Sequence, residues 1–201
     1  MSSFVPLIVP GWRNSGPDHW QSRWQASLPA ARRVAQHDWE RPRRADWIAG
    51  LQAALDALPP GQRAVLVAHS LGCITVAQWA AVAEVARRRR VAGAVLVVPA
   101  DVERASCIGS LRGFAPIPRK RLPFDALVIA SDNDPCCALD RAMGFADAWE
   151  AETHVLHGAG HINVESGHGD WIGGLALLQR FASSLRAGRQ RVSAALTAAR
   201  E

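Results

Sequence analysis

Three residues whose types suit nucleophilic catalysis stand far apart in the chain: Ser70, Asp134 and His161. A serine hydroxyl attacks a carbonyl readily only when a base takes its proton, and an imidazole serves as that base when a carboxylate fixes its tautomer. Serine, then aspartate, then histidine is one of the chain orders in which such a trio occurs. Each lies just after a short apolar run. Ser70 sits in Ala68-His69-Ser70-Leu71-Gly72, and His161 in Gly158-Ala159-Gly160-His161-Ile162-Asn163, whose glycines let a loop present the ring. Asp134 sits in Ser131-Asp132-Asn133-Asp134-Pro135. Pro135 favours extended backbone at Asp134 and so a fixed side chain; Asp132, in the same loop, suits a helix cap near Leu139 or the solvent.

The elements needed to position these residues can be read from the pattern. Ala64-Val65-Leu66-Val67 is a continuous apolar run, as in a strand covered on both faces, and an apolar helix follows from Leu71. Strand, serine in a tight turn, helix is the arrangement of a nucleophile elbow, with Ala68 where a glycine is usual. The Leu71 amide, at the helix start, is one expected donor to a developing oxyanion. The Trp12 amide, in the loop after the first strand, is the other, with Gly11 permitting the close approach and itself a candidate pocket residue. Strands are predicted over 4–9, 33–36, 64–68, 92–98, 126–130 and 153–156, and helices over 18–28, 45–58, 71–87, 139–150, 170–185 and, more weakly, 192–200. This alternation predicts an α/β fold, a doubly wound and mainly parallel six-stranded sheet with helices on both faces. Ligands bind such sheets beyond the carboxyl ends of the strands, where all these loops fall.

Composition narrows the class. The chain has 201 residues, 49% of them apolar, and no run of 18 apolar residues, so a single domain without a membrane span is expected. It is read as a domain over 1–188 with a helical or frayed extension over 189–201. The N-terminus lacks the pattern of a signal peptide, and four cysteines in a chain this long do not make a disulfide framework. Both point to the cytoplasm and free thiols. The net charge of +5 is concentrated in Arg87–Arg90 and the C-terminal arginines, as in a solvated helix end; a nucleic-acid role is not expected. Nucleotide-binding glycine patterns and His-Glu-x-x-His are absent, so neither a metal nor another cofactor is expected. Trp20 and Trp24, four apart, share a helix face suited to packing, while Trp12, His19 and Trp20 are near enough to wall a substrate pocket. His69 is expected to pack or hydrogen-bond behind the elbow, Asn163 and His168 to support the histidine loop, and Cys73 to act as a small buried hydrophobe.

Val9-Pro10-Gly11-Trp12, the segment from Ser15 to Trp24, and the three site segments occur in this order. Together they resemble the small serine-hydrolase family that includes retinoblastoma-binding protein 9 and the bacterial YdeN-type proteins, over nearly the whole chain to about Leu185. The resemblance implies a compact three-layer α/β-hydrolase without a large lid domain, ester-like substrates, and Asp134 as the acid. The chain departs from the pattern at Ala68 and at Cys136-Cys137, where relatives carry larger apolar residues; Cys136 is therefore a candidate pocket residue beside the acid. With residues 101–122 as the one candidate cap, a shallow site for short acyl esters is expected. The alternative is a protein-interaction module on the same fold, its partner unspecified, with little turnover.

Overall fold

The structure, a computed structural model, describes the backbone of residues 4–198 and side chains as far as residue 188. Six strands form one sheet: β1 (Val5–Val9), β2 (Arg32–Arg33), β3 (Ala64–His69), β4 (Val91–Val97), β5 (Asp125–Ser131) and β6 (Glu152–Leu156). All neighbours pair in parallel, in the order β2-β1-β3-β4-β5-β6. Between them run α1 (Trp20–Ser27), α2 (Arg44–Asp56), α3 (Leu71–Val82), the short α4 (Val85–Arg88) and α5 (Leu139–Trp149), and α6 (Ile172–Ala198) follows β6.

Side-chain alternation along the strands divides the core between the two faces of the sheet. Ala64, Leu66 and Ala68 of β3 pack with Trp47 and Leu51 of α2, Trp79 of α3 and Phe145 of α5. Val65 and Val67 face the other way, toward Trp20 and Trp24 of α1 and Leu177 and Phe181 of α6. Every residue of β3 and of β4 is buried, which is why both read as unbroken apolar runs.

The predicted strands are all present, although β2 contracts to two residues. Two helix boundaries differ. The helix predicted over 71–87 ends at Val82, because Ala83 and Glu84 take extended backbone and the chain restarts as α4. Val82 and Val85 are 67% and 63% exposed, so no apolar face remains there to hold the helix on the core. Of the arginine run, Arg87 and Arg88 lie in the last turn of α4, while the Arg90 guanidinium donates to the carbonyls of Leu55, Leu58 and Pro59, at and beyond the C-terminus of α2. The two predicted C-terminal helices are one continuous helix, since Gly188 alone costs only about 1 kcal/mol. The expected boundary at 188 falls inside it, and Arg200 and the side chains of the proposed extension lie outside the described residues. Among the described residues, no helix is long and apolar enough to cross a membrane.

The connection from β4 to β5 is the longest excursion at the carboxyl edge of the sheet, and it carries one 3-10 turn, Gly109–Phe114. Among the described residues there is no large lid.

Candidate active site

Ser70 occupies the sharp turn between β3 and α3 with φ 55° and ψ −121°. For a residue with a Cβ this conformation costs on the order of 1–3 kcal/mol and persists only where its surroundings enforce it. Here the Ser70 amide donates to Val97 O at 3.0 Å, and the Ser70 carbonyl accepts from Cys73 N at 3.0 Å. A side chain at Gly72 would strike the carbonyl oxygens of Val9 and Pro10, the latter 2.7 Å from an added Cβ, so this close crossing of β1 and α3 requires glycine. Ala68 points into the core and is fully buried, so its methyl is absorbed by packing.

His161 reaches Ser70 from the loop after β6. Its Nε2 lies 3.0 Å from Ser70 Oγ, and its Nδ1–H donates to Asp134 Oδ1 at 2.8 Å. The side chains of His161 and Asp134 are 14% and 2% exposed. Burial works against protonation of His161, but the Asp134 bond and charge, together with the Cys136 sulfur, outweigh it and raise its pKa to about 9.

Two loops hold the ring in place by gripping each other residue for residue. Asp132 accepts from the His157 ring at 2.7 Å and from Gly158 N at 2.8 Å; Asn133 Oδ1 accepts from Gly160 N at 2.7 Å; Asp134 then meets His161. Asp132 is therefore neither a helix cap nor a free surface charge, as the sequence had suggested, but a clamp on the histidine loop. Its carboxyl is held below the usual range, chiefly by the Gly158 amide and by His157. That loop turns through left-handed backbone at Gly158, Gly160 and Ile162. At Gly160 an added Cβ would also lie 2.8 Å from Ser166 Cβ.

From the opposite side, the Trp20 indole N–H donates to Ile162 O at 2.8 Å and the His69 Nε2–H to His161 O at 2.9 Å. His69 thus supports the histidine through its backbone. Burial, then the neighbouring His161 and His19, hold His69 well below the usual range, so it is neutral. His19 caps α1 by accepting from Gln21 N, and burial, Arg33 and His161 lower its pKa to about 4. Cys73 is buried, its thiol 3.3 Å from Val97 O and its pKa pushed well up by desolvation, which leaves it an unreactive thiol. Asn163 and Ser166 exchange hydrogen bonds and Ser166 Oγ meets His168, so these residues brace the loop.

Gly11 lies directly over the elbow: an added Cβ there would sit 2.9 Å from Ser70 Cβ and 3.5 Å from Leu71 N. Neither Trp12 N nor Leu71 N donates to another group among the described residues.

A cleft of about 390 Å³ opens in front of Ser70 and His161. Trp12, His19 and Cys136 line it, as does the β4–β5 connection through Val102, Ile108 and Leu111. Trp20 does not. It is fully buried, clustered with Trp24 and Trp171, because the tryptophan face of α1 turns to the sheet rather than to the cleft. Gly11 abuts Ser70 but does not form cleft wall.

Sequence reasoning missed the clamp that holds the β4–β5 connection against the acid loop. Arg141 of α5 grips the buried Asp101 with two bonds of 2.8 and 2.9 Å and also reaches Glu103. Asp101 N donates to Cys136 O, and Arg104 to Pro135 O. The partners are 31 to 40 positions apart, with no local spacing to reveal them.

A family model described as serine hydrolase matches residues 6–180. Among solved structures, the chain is similar to a YdeN-like hydrolase from Pectobacterium atrosepticum, at 31% identity and a TM-score of 0.79 over 91% of this chain and 92% of that one. It is also similar to the ydeN gene product of Bacillus subtilis, at 20% identity and a TM-score of 0.69 over 90% of this chain and 100% of that one. Esterase 2 from Thermogutta terrifontis shares the fold at 16% identity, with a TM-score of 0.65 over 92% of this chain and 85% of that one. No curated protein matches the chain. With an α/β-hydrolase sheet, a serine at its central elbow and a family match spanning most of its length, the chain belongs to the serine hydrolase family.

Proposed function

We propose that this serine hydrolase is carboxylesterase-like and cleaves short-acyl esters through an acyl-enzyme on Ser70. Supporting this above all is the hydrogen-bonded line from Ser70 Oγ through His161 to Asp134 at the floor of an open cleft. His161 Nε2 takes the hydroxyl proton as Oγ attacks the ester carbonyl, and Asp134 holds the ring in the required tautomer and faces the imidazolium that forms. The amides of Trp12 and Leu71, which donate to no other group among the described residues and adjoin the elbow, receive the oxyanion; each such donor is worth about 3 kcal/mol in the transition state. His161 returns its proton to the departing alcohol. Water, deprotonated by the same ring, then releases the acid and frees Ser70.

The cleft volume of 390 Å³ lies near the lower end of the roughly 300–1,000 Å³ typical of ligand pockets, which supports a short acyl chain over a long one. The four unbridged cysteines support a reducing compartment, the cytoplasm. Turnover of p-nitrophenyl acetate by the wild type and Ser70→Ala tests the reading. A loss of about a thousandfold or more in the variant is expected, and equal rates in the two proteins would refute it.

A further inference from the structure

Asp134, Cys136 and His161 share a geometry that ester cleavage does not use: one donor atom from each, carboxylate oxygen, thiol sulfur and ring nitrogen, all within 4.8 Å of one another. Hydrolysis engages Asp134 through Oδ1. The other oxygen, Oδ2, belongs to a side chain only 2% exposed and accepts a hydrogen bond from no described residue. A buried carboxylate oxygen in that state carries an uncompensated desolvation cost and suits a cation. Cys136 is half-buried, unbridged and in the cleft wall, where a solute entering the cleft meets it.

We propose that Asp134, Cys136 and His161 form an inhibitory binding site for a soft divalent cation of the zinc and cadmium class, which disables the base from within the cleft. Thiolate, imidazole and carboxylate are the donors zinc takes, and three protein ligands leave a fourth position for water. The thiolate disfavours magnesium and calcium, which take oxygen ligands. Metal–ligand bonds of about 2.0–2.3 Å place neighbouring ligand atoms roughly 3.5 Å apart in a tetrahedron. The three donor atoms already lie within 4.8 Å of one another, so the proposal asks only small side-chain rotations of them. As the sulfur–metal bond forms, the thiol proton leaves to solvent. The ring gives the metal one nitrogen lone pair, and an imidazolium would first release its extra proton. Bound at Nδ1, the metal displaces Asp134 Oδ1 and moves the ring proton to Nε2, which then donates to Ser70. Bound at Nε2, it occupies the lone pair itself. In both cases no basic nitrogen faces the hydroxyl.

Inhibition rests on the reading of Ser70 as nucleophile; binding does not, so the two are measured separately. Cadmium is titrated into the reduced, metal-free protein while the ultraviolet thiolate-to-cadmium charge-transfer band is followed, with Cys136→Ser and Cys136→Ala alongside the wild type. Zinc inhibition of p-nitrophenyl acetate turnover is measured on the same proteins, each against its own metal-free rate, and EDTA is then added. Expected are a band saturating at one cadmium per chain and lost in both variants, and at least tenfold zinc inhibition of the wild type reversed by EDTA. The inhibitory zinc concentration should rise tenfold or more in the variants. A band that survives in both variants, zinc inhibition that survives unchanged, or a Cys136-dependent band in an active enzyme that zinc does not slow would each overturn the proposal. A Cys136-dependent band that Asp134→Asn weakens, in a protein with no esterase turnover, would uphold the binding site and refute the esterase reading instead.

Discussion

In the proposed reaction His161 accepts a proton from Ser70, which makes its own charge state decisive. The pKa is raised from 6.5 to about 9 because the Asp134 bond and the Cys136 sulfur outweigh burial. Only the neutral ring is a base, so kcat/KM should climb with pH through the neutral range and level off near the folded value. A profile already flat above pH 7 would contradict this. The sign for stability is the reverse: a raised pKa means that the charged ring stabilises the fold fully below about pH 6.5, and that contribution is lost as pH rises toward 9. Removing the carboxylate in Asp134→Asn should bring the kinetic pKa down and reduce kcat by roughly four orders of magnitude, as the wrong tautomer becomes favoured.

At the scale of elements, the site depends on loops that hold one another. Asp132 and Asn133 tie the acid loop to Gly158 and Gly160, while Trp20 of α1 anchors Ile162. Asn133→Ala should lower kcat by tenfold or more with KM little changed, because it loosens the ring's placement without touching the cleft wall. Equal falls in kcat and Tm-derived stability would show it to be a folding defect only. Gly72→Ala should destabilise by more than about 2 kcal/mol, read from urea unfolding, since its Cβ would meet two backbone carbonyls that cannot withdraw without moving β1. These dependencies explain what was and was not legible in the sequence. The Ser70 turn could be read because strand, small residues and helix are contiguous. The clasp of Asp132 on Gly158 spans 26 positions, and Arg141 on Asp101 spans 40, and neither leaves a local pattern. Trp20 read first as a packing residue, which it is, but the pocket role stayed open, because helical spacing gives a shared face but not the direction in which that face points.

The whole molecule follows from the parallel sheet. Runs buried on both faces mark the central strands β3 and β4, and one core forms on each side of the sheet. Helix ends were less legible, because Ala83 and Gly188 carry no strong breaker and only the packed molecule decides where apolar cover ends. With the β4–β5 connection as the longest excursion over the cleft among the described residues, and a cavity of 390 Å³, acyl chain length should be discriminated at whole-molecule level. Turnover is expected to peak at acetyl to butyryl esters and decline steadily beyond; a preference for chains longer than about ten carbons would require a cap this fold lacks. The most direct measurement is to treat the wild type with a fluorophosphonate and locate the adduct by peptide mass spectrometry. The expected result is a single stoichiometric adduct on Ser70, abolished in His161→Gln. An adduct on a different residue, or none on an enzyme that still hydrolyses esters, would contradict the account.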